Sequence, residues 1–311
     1  MSAVLAVKLV AIFAVMAVGW AAGRARLLGP EAADVLNRAA FTLFLPALLF
    51  RTASGISVAD LPWITIAAYY VPTLGVLFTA YAWYRIRGAR GAGPAIRALS
   101  VSFSNTVQIG IPVIAALFGE SGLAVLIAII SLHALVLLTT GTVLAETDLA
   151  RAGQNSAGRG VGGVVRRSLL HPVVTPILLG LAYNATGWSI PAVVDDVLAT
   201  LGAAVIPVSL VTIGLTVYTY GKVRAVPKVL TRAAAKLVLH PAVVFGAAYL
   251  AFGLRGLPLT VAVLCAALPT GTNVLLFAGR YRTLHGETAA VTVAATAGFI
   301  VVGTLWLLLL A

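Results

Sequence analysis

Acidic residues are scarce in this sequence: nine Asp and Glu stand against 21 Lys and Arg in 311 residues, and only 10% of the chain is charged. A soluble surface carries about 25% charged residues, so a water-soluble globule of this size is excluded. There is one cysteine, Cys265, which excludes a disulfide framework and a cysteine-based zinc site. The small charge share also excludes a disordered chain, because apolar residues make up 61% of the sequence and mean hydropathy is +1.05.

The charged residues that exist leave long gaps. Windows 61–84, 98–119, 121–145, 168–194, 197–221, 237–254, 256–279 and 288–311 contain no Asp, Glu, Lys or Arg. Each reaches the length expected of a membrane-spanning helix. Two further spans are expected at 3–23, interrupted only by Lys8, and at 35–54, where Arg38 and Arg51 near the ends can snorkel to the interfaces. The sequence thus predicts an all-α integral membrane protein of ten transmembrane helices, with no room for a second soluble domain.

Basic residues set the expected orientation. Loops after odd-numbered helices carry Arg24, Arg26, Arg38, Arg85, Arg87, Arg90, Arg97, Arg151, Arg159, Arg166, Arg167, Lys222, Arg224, Lys228, Arg232, Arg280 and Arg282. The other side has only Lys8, Arg51 and Arg255, with Lys236 just inside helix eight. This predicts cytoplasmic odd-to-even loops and two extracytoplasmic termini in a multi-pass cytoplasmic membrane protein. The net charge of +12 is then a topology signal, and nucleic acid is not an expected partner. The first helix also has most of its flanking positive charge after the apolar stretch, the reverse of a cleavable signal.

Residues 146–167, with Gly153, Gly158, Gly160, Gly162 and Gly163, read as a flexible cytoplasmic linker. It separates a first five-helix repeat, 1–145, from a second, 168–311. Five is odd, so two similar halves must insert in opposite orientations, as in many secondary transporters. Prolines fall in register: Pro46 of helix two with Pro207 of helix seven, and Pro112 of helix four with Pro269 of helix nine.

Helices four and nine hold the least ordinary chemistry. Helix four has Asn105, Gln108, Gly110, Ile111 and Pro112 near its midpoint; helix nine has Pro269, Thr270, Gly271, Thr272 and Asn273. Proline removes a donor and glycine lets the chain unwind, and exposed backbone at membrane depth is tolerated only inside protein or along a wet cavity. These ten residues form the expected binding site. Pro112 suits the first turn of a new half-helix. Two half-helix starts facing each other would hold an anion without any buried lysine or arginine.

NTVQIGIP at 105–112 and LPTGTNVLLFAGRY at 268–281 resemble the two broken-helix motifs of the auxin efflux carrier family, in its bacterial branch. LPALLF in helix two and LGAAVIPVSLVTIG in helix seven extend the resemblance over nearly the whole chain. The resemblance implies crossing of helices four and nine, elevator-like alternating access, and a homodimer built on helices two and seven. It also implies transport of organic anions such as auxin or dicarboxylates. Plant members have a further proline where this sequence has Val274, and a long cytoplasmic loop that is absent here.

His133, at the centre of helix five, is a possible proton-coupling residue or a neutral hydrogen-bonding one. No mid-membrane carboxylate is expected, which argues against a carboxylate proton relay or sodium site, and no metal or cofactor is implied. Asp195 and Asp196 are expected in an extracytoplasmic loop. Gly158, Gly160 and Gly163 fit G-x-G-x-x-G but lack the strand and helix of a nucleotide site. Gly19 and Gly23 form a G-x-x-x-G pair suited to close helix packing. The leading expectation is a secondary carrier for small organic anions. A sodium-coupled bile-acid-type symporter is the alternative, with a channel or an intramembrane enzyme behind it.

Overall fold

The computed structural model describes residues 3–55, 62–151, 174–220 and 226–310. It is all-helical. The helices are α1 (Ala3–Arg24), α2 (Pro30–Ala39), α3 (Leu45–Ser54), α4 (Trp63–Ile86), α5 (Gly93–Ser102), α6 (Ile111–Arg151), α7 (Val174–Ala185), α8 (Ala192–Ala203), α9 (Val205–Tyr220), α10 (Pro227–Ala234), α11 (His240–Gly246), α12 (Gly256–Ala267), α13 (Thr272–Arg280) and α14 (His285–Leu310). Among the described residues, six helical stretches are long and apolar enough to cross a membrane.

Several spans are composites. Helix two of the sequence is α2 and α3, joined by a π turn at Ala40–Phe44. Helix seven is α8 and α9, and helix eight begins as α10, a π turn at Ala235–Leu239, and α11. A third π turn, Thr106–Gly110, precedes Ile111. Of the four π turns among the described residues, all but Ala247–Ala251 share one cause. Pro46, Pro112 and Pro241 each lie two residues past the turn's end. A proline has no N–H for the carbonyl four residues back, so the preceding turn widens to i→i+5 bonding. Ala40, Thr106 and Ala235 accordingly accept from Leu45, Ile111 and His240.

α6 contains the second half of helix four and all of helix five. They meet at Gly119, whose φ of 63° lies in the left-handed region that only glycine enters freely. Helix five runs on to Arg151, so residues 146–151 of the expected linker are helical. The rest of that linker, with its glycines, lies outside the described residues. Asp195 and Asp196 are not in a loop: they belong to the first turns of α8. Pro191 is the N-cap of that helix, and acidic side chains suit a helix N-terminus.

α1 packs along α9, and α3 packs on α7 and α8; α4 packs on α5 and α11, and α10 on α14. The α1–α9 contact is glycine-made. A Cβ on Gly19 would overlap the Val211 carbonyl, and one on Gly214 would overlap the Met16 carbonyl, so the two backbones touch. Gly23 faces Leu215 and Tyr218 of α9, so both glycines of the G-x-x-x-G pair serve this one contact.

Ion pairs form separate groups. Arg97 and Arg232 pair with Glu287 at 3.0 and 2.8 Å, and Arg85 pairs with Asp148 at 3.3 Å. Elsewhere Arg51 grips Asp195 at 2.7 Å and reaches Glu120 at 3.4 Å.

A bridged pair of helix interruptions as the candidate functional site

Two interruptions meet. α5 ends at Ser102 and α12 at Ala267, and the residues after them pair as a short antiparallel bridge between Ser104 and Thr270. Asn105 N–H donates to the Pro269 carbonyl at 2.8 Å, and Gly271 N–H donates to the Phe103 carbonyl at 3.0 Å. Thr270 Oγ1 donates to the Ser100 carbonyl at 2.7 Å and so satisfies an orphan acceptor at the end of α5. The bridge supplies partners for buried backbone that would otherwise be bare.

Glycine permits the approach. A Cβ on Gly271 would lie 2.7 Å from the Phe103 ring, and one on Gly110 would lie 2.7 Å from the Leu268 side chain.

After the bridge both chains become helical again. Asn105 caps the first of these starts: its Oδ1 accepts from Gln108 N–H at 3.2 Å, while its Nδ2 donates to Gln108 Oε1 at 3.0 Å. Thr272 Oγ1 donates to the same Gln108 Oε1 at 3.3 Å. Asn105, Gln108 and Thr272 thus form one polar chain across the two interruptions, and Gln108, Thr272 and Asn273 are half-buried. The helix resumes at Thr106, several residues before Pro112, which falls in the first α turn at Ile111–Pro112. The sequence placed this restart at Pro112 because a missing N–H costs nothing there, but the π turn absorbs the proline instead. Ile111, Pro112, Pro269 and Thr270 are buried supports. Pro46 and Pro207 stand in the first turns of α3 and α9, away from this polar chain.

A second, fully buried layer touches the bridge. His133 Nε2 lies 3.3 Å from the Ser104 amide nitrogen and 3.2 Å from the Ser104 carbonyl, with Tyr69 Oη 3.5 Å from its Nδ1. Lys236, with 0% of its surface exposed, donates to Ser104 Oγ at 2.9 Å, to the Ala266 carbonyl, and lies 3.2 Å from His240 Nδ1. His240 Nε2 is 3.0 Å from Thr73 Oγ1.

This layer corrects the sequence reading. A buried lysine does adjoin the bridge, and His133 is buried together with Lys236 and His240. The signal was available: Lys236 and His240 are four residues apart, on one face of an otherwise apolar helix.

A narrow apolar cavity, lined by Ile12, Met16, Ile109, Val113, Ile213 and Phe299, adjoins the restarted helix. Among the described residues there is no cluster of three or more His, Cys, Asp or Glu that could hold a metal.

Comparison with known proteins decides the family. The family described as membrane transport protein matches residues 4–307. The chain belongs to the auxin efflux carrier family. It is a membrane transporter, and the family is not one of enzymes. The chain is similar to auxin efflux carrier component 8 of Arabidopsis thaliana, with 24% identity covering 89% of each chain. It is also similar to a putative malonate transporter of Rhizobium meliloti (strain 1021), with 28% identity over 86% of this chain and 83% of that protein. An uncharacterized transporter of Methanothermobacter thermautotrophicus is 29% identical over 78% of each chain.

Proposed function

We propose that this transporter is a secondary carrier of small organic anions, working by elevator-type alternating access. One observation carries the reading: two helix interruptions are bridged to each other, and each is followed at once by a new helix start bearing amide and hydroxyl side chains. Helix starts present unpaired N–H groups and the positive end of the helix dipole, which suits a carboxylate. The site residues are Asn105, Gln108, Gly110, Ile111, Pro112, Pro269, Thr270, Gly271, Thr272 and Asn273, with His133 as a possible coupling group. The names of the malonate and auxin relatives support carboxylates as the substrate class.

In this reading the ten helices form two inverted five-helix repeats, 1–145 and 168–311, around a cytoplasmic linker, and helices four and nine are the broken, crossing pair. Both termini are extracytoplasmic. Two copies associate through helices two and seven in the cytoplasmic membrane.

Uptake of labelled malonate and indole-3-acetate into proteoliposomes tests the function. Saturable flux with counterflow is expected. Flux that never saturates would indicate a channel, and no flux of any carboxylate would refute the substrate class.

A further inference from the structure

The Lys236 ammonium has three N–H donors and three partners: the Ser104 hydroxyl, the Ala266 carbonyl and His240 Nδ1. Accepting at Nδ1 leaves the His240 proton on Nε2, where it meets Thr73 Oγ1. All three partners are uncharged. Among the described residues no carboxylate pairs with Lys236; the titratable groups around it are His240, His133, Cys265 and Tyr69. A buried ammonium without an opposite charge is costly, so something must compensate it.

Two sources of negative potential are at hand. One is permanent: Ala266 lies in the last turn of α12, where carbonyls lack helical partners and the dipole is negative. The same arrangement recurs where Lys8 donates at 2.7 Å to the Leu117 carbonyl, near the end of the second half of helix four. The other source is the substrate. Ser104, which Lys236 grips, is followed directly by Asn105, the cap of the restarted helix.

Resting on the anion reading above, we propose that Lys236 is a tethered cation: it holds the carbonyl end of α12 against the bridge and supplies the fixed positive charge that balances the bound carboxylate. It is a positioning residue, acting through Ser104 and the bridge.

The test uses the full-length protein in detergent, with three variants. Lys236→Ala leaves a hole that reaches Ser104 Oγ, Ala266 O and His240 Nδ1, and methylammonium fits it. Methylammonium should raise the melting temperature of Lys236→Ala and leave the wild type unchanged. Lys236→Gln keeps a donor but loses the charge. It should weaken malonate binding by about tenfold or more, while binding of the uncharged diamide, malonamide, changes little. Lys236→Arg should retain the preference for the anion.

A merely structural lysine would not shift the ratio of anion to amide. If neither neutral variant folds but Lys236→Arg does, the need for charge at this position is demonstrated directly. A neutral variant that folds and ignores methylammonium, or keeps the wild-type ratio of anion to amide, overturns the proposal. Wild-type protein that binds no carboxylate refutes the anion reading instead, and the methylammonium response then decides the helix-end role alone.

Discussion

The amide of Asn105 donates to the carbonyl of Pro269 across 2.8 Å, joining residues 164 positions apart at the point where both their helices have stopped. Asn105 is then used twice more, because its side chain caps the helix that begins with the next residue. Backbone bridge and side-chain cap therefore depend on one residue.

Asn105 separates charge from geometry. Asn105→Asp retains a cap acceptor for Gln108 N–H but places a carboxylate at the positive helix start. Anion uptake in proteoliposomes should be abolished in folded protein. Asn105→Ala removes the cap without adding charge and should weaken anion binding by about 1–3 kcal/mol. Near-normal uptake by Asn105→Asp would move the site elsewhere.

Gly271 measures how tightly the bridge is packed. Its φ of −71° is open to any residue, so the effect of Gly271→Ala comes from the clash with the Phe103 ring alone. Destabilisation of about 1–3 kcal/mol is expected, read as a lower melting temperature and reduced uptake. Pairing it with Phe103→Leu should restore part of both; no recovery would mean that the ring is not the obstacle.

Among the described residues His133 hydrogen-bonds to the Ser104 backbone and Tyr69 and has no carboxylate partner. His133→Gln should keep substantial transport, with at most a shifted pH dependence. Complete loss of proton-driven uptake, with binding intact, would make His133 the coupling residue.

Gly214→Ala should be far more damaging than its size suggests, because the added carbon would overlap the Met16 carbonyl, a backbone atom that cannot rotate away. Loss of monodisperse protein in size-exclusion chromatography is expected. Gly75→Ala, where an added Cβ meets nothing within 4 Å, is the control and should behave as wild type.

Orientation has its own measurement. In a Cys265→Ala background, a cysteine introduced at Ala311 should be labelled in intact cells by an impermeant maleimide. Protection until the membrane is opened would reverse the assigned sides.

Much of this was legible in the sequence because membranes punish charge and bare backbone. Among the described residues, five of the charge-free windows and the span at 35–54 fall on helices long and apolar enough to cross a membrane, and Pro112 with Gly110, and Pro269 with Gly271, lie at or just after the two interruptions. The exact stopping points were not legible. A proline constrains the residues before it, and whether they break or widen depends on what lies opposite; here the Pro269 carbonyl and Phe103 ring are there to receive the chain. Lys236 was passed over because a lone cation near a span's end normally snorkels outward. Only the packing shows that it turns inward to Ser104. Asp195 and Asp196 read as loop because acidic residues interrupt an apolar run, yet a helix start accommodates both.

The three wide turns before Pro46, Pro112 and Pro241 also act as phase shifters. Each holds about one residue more than an α turn, and one residue is about 100° of rotation on a helix wheel. Everything downstream faces a direction that a regular helix of the same sequence would not give it. At Thr106–Gly110 this offset lies between the capping Asn105 and the remainder of helix four. Replacing Pro112 with alanine restores the missing donor and lets the turn close to i→i+4 bonding, which would swing Asn105 and its bridge partners away from the face that the rest of helix four packs on.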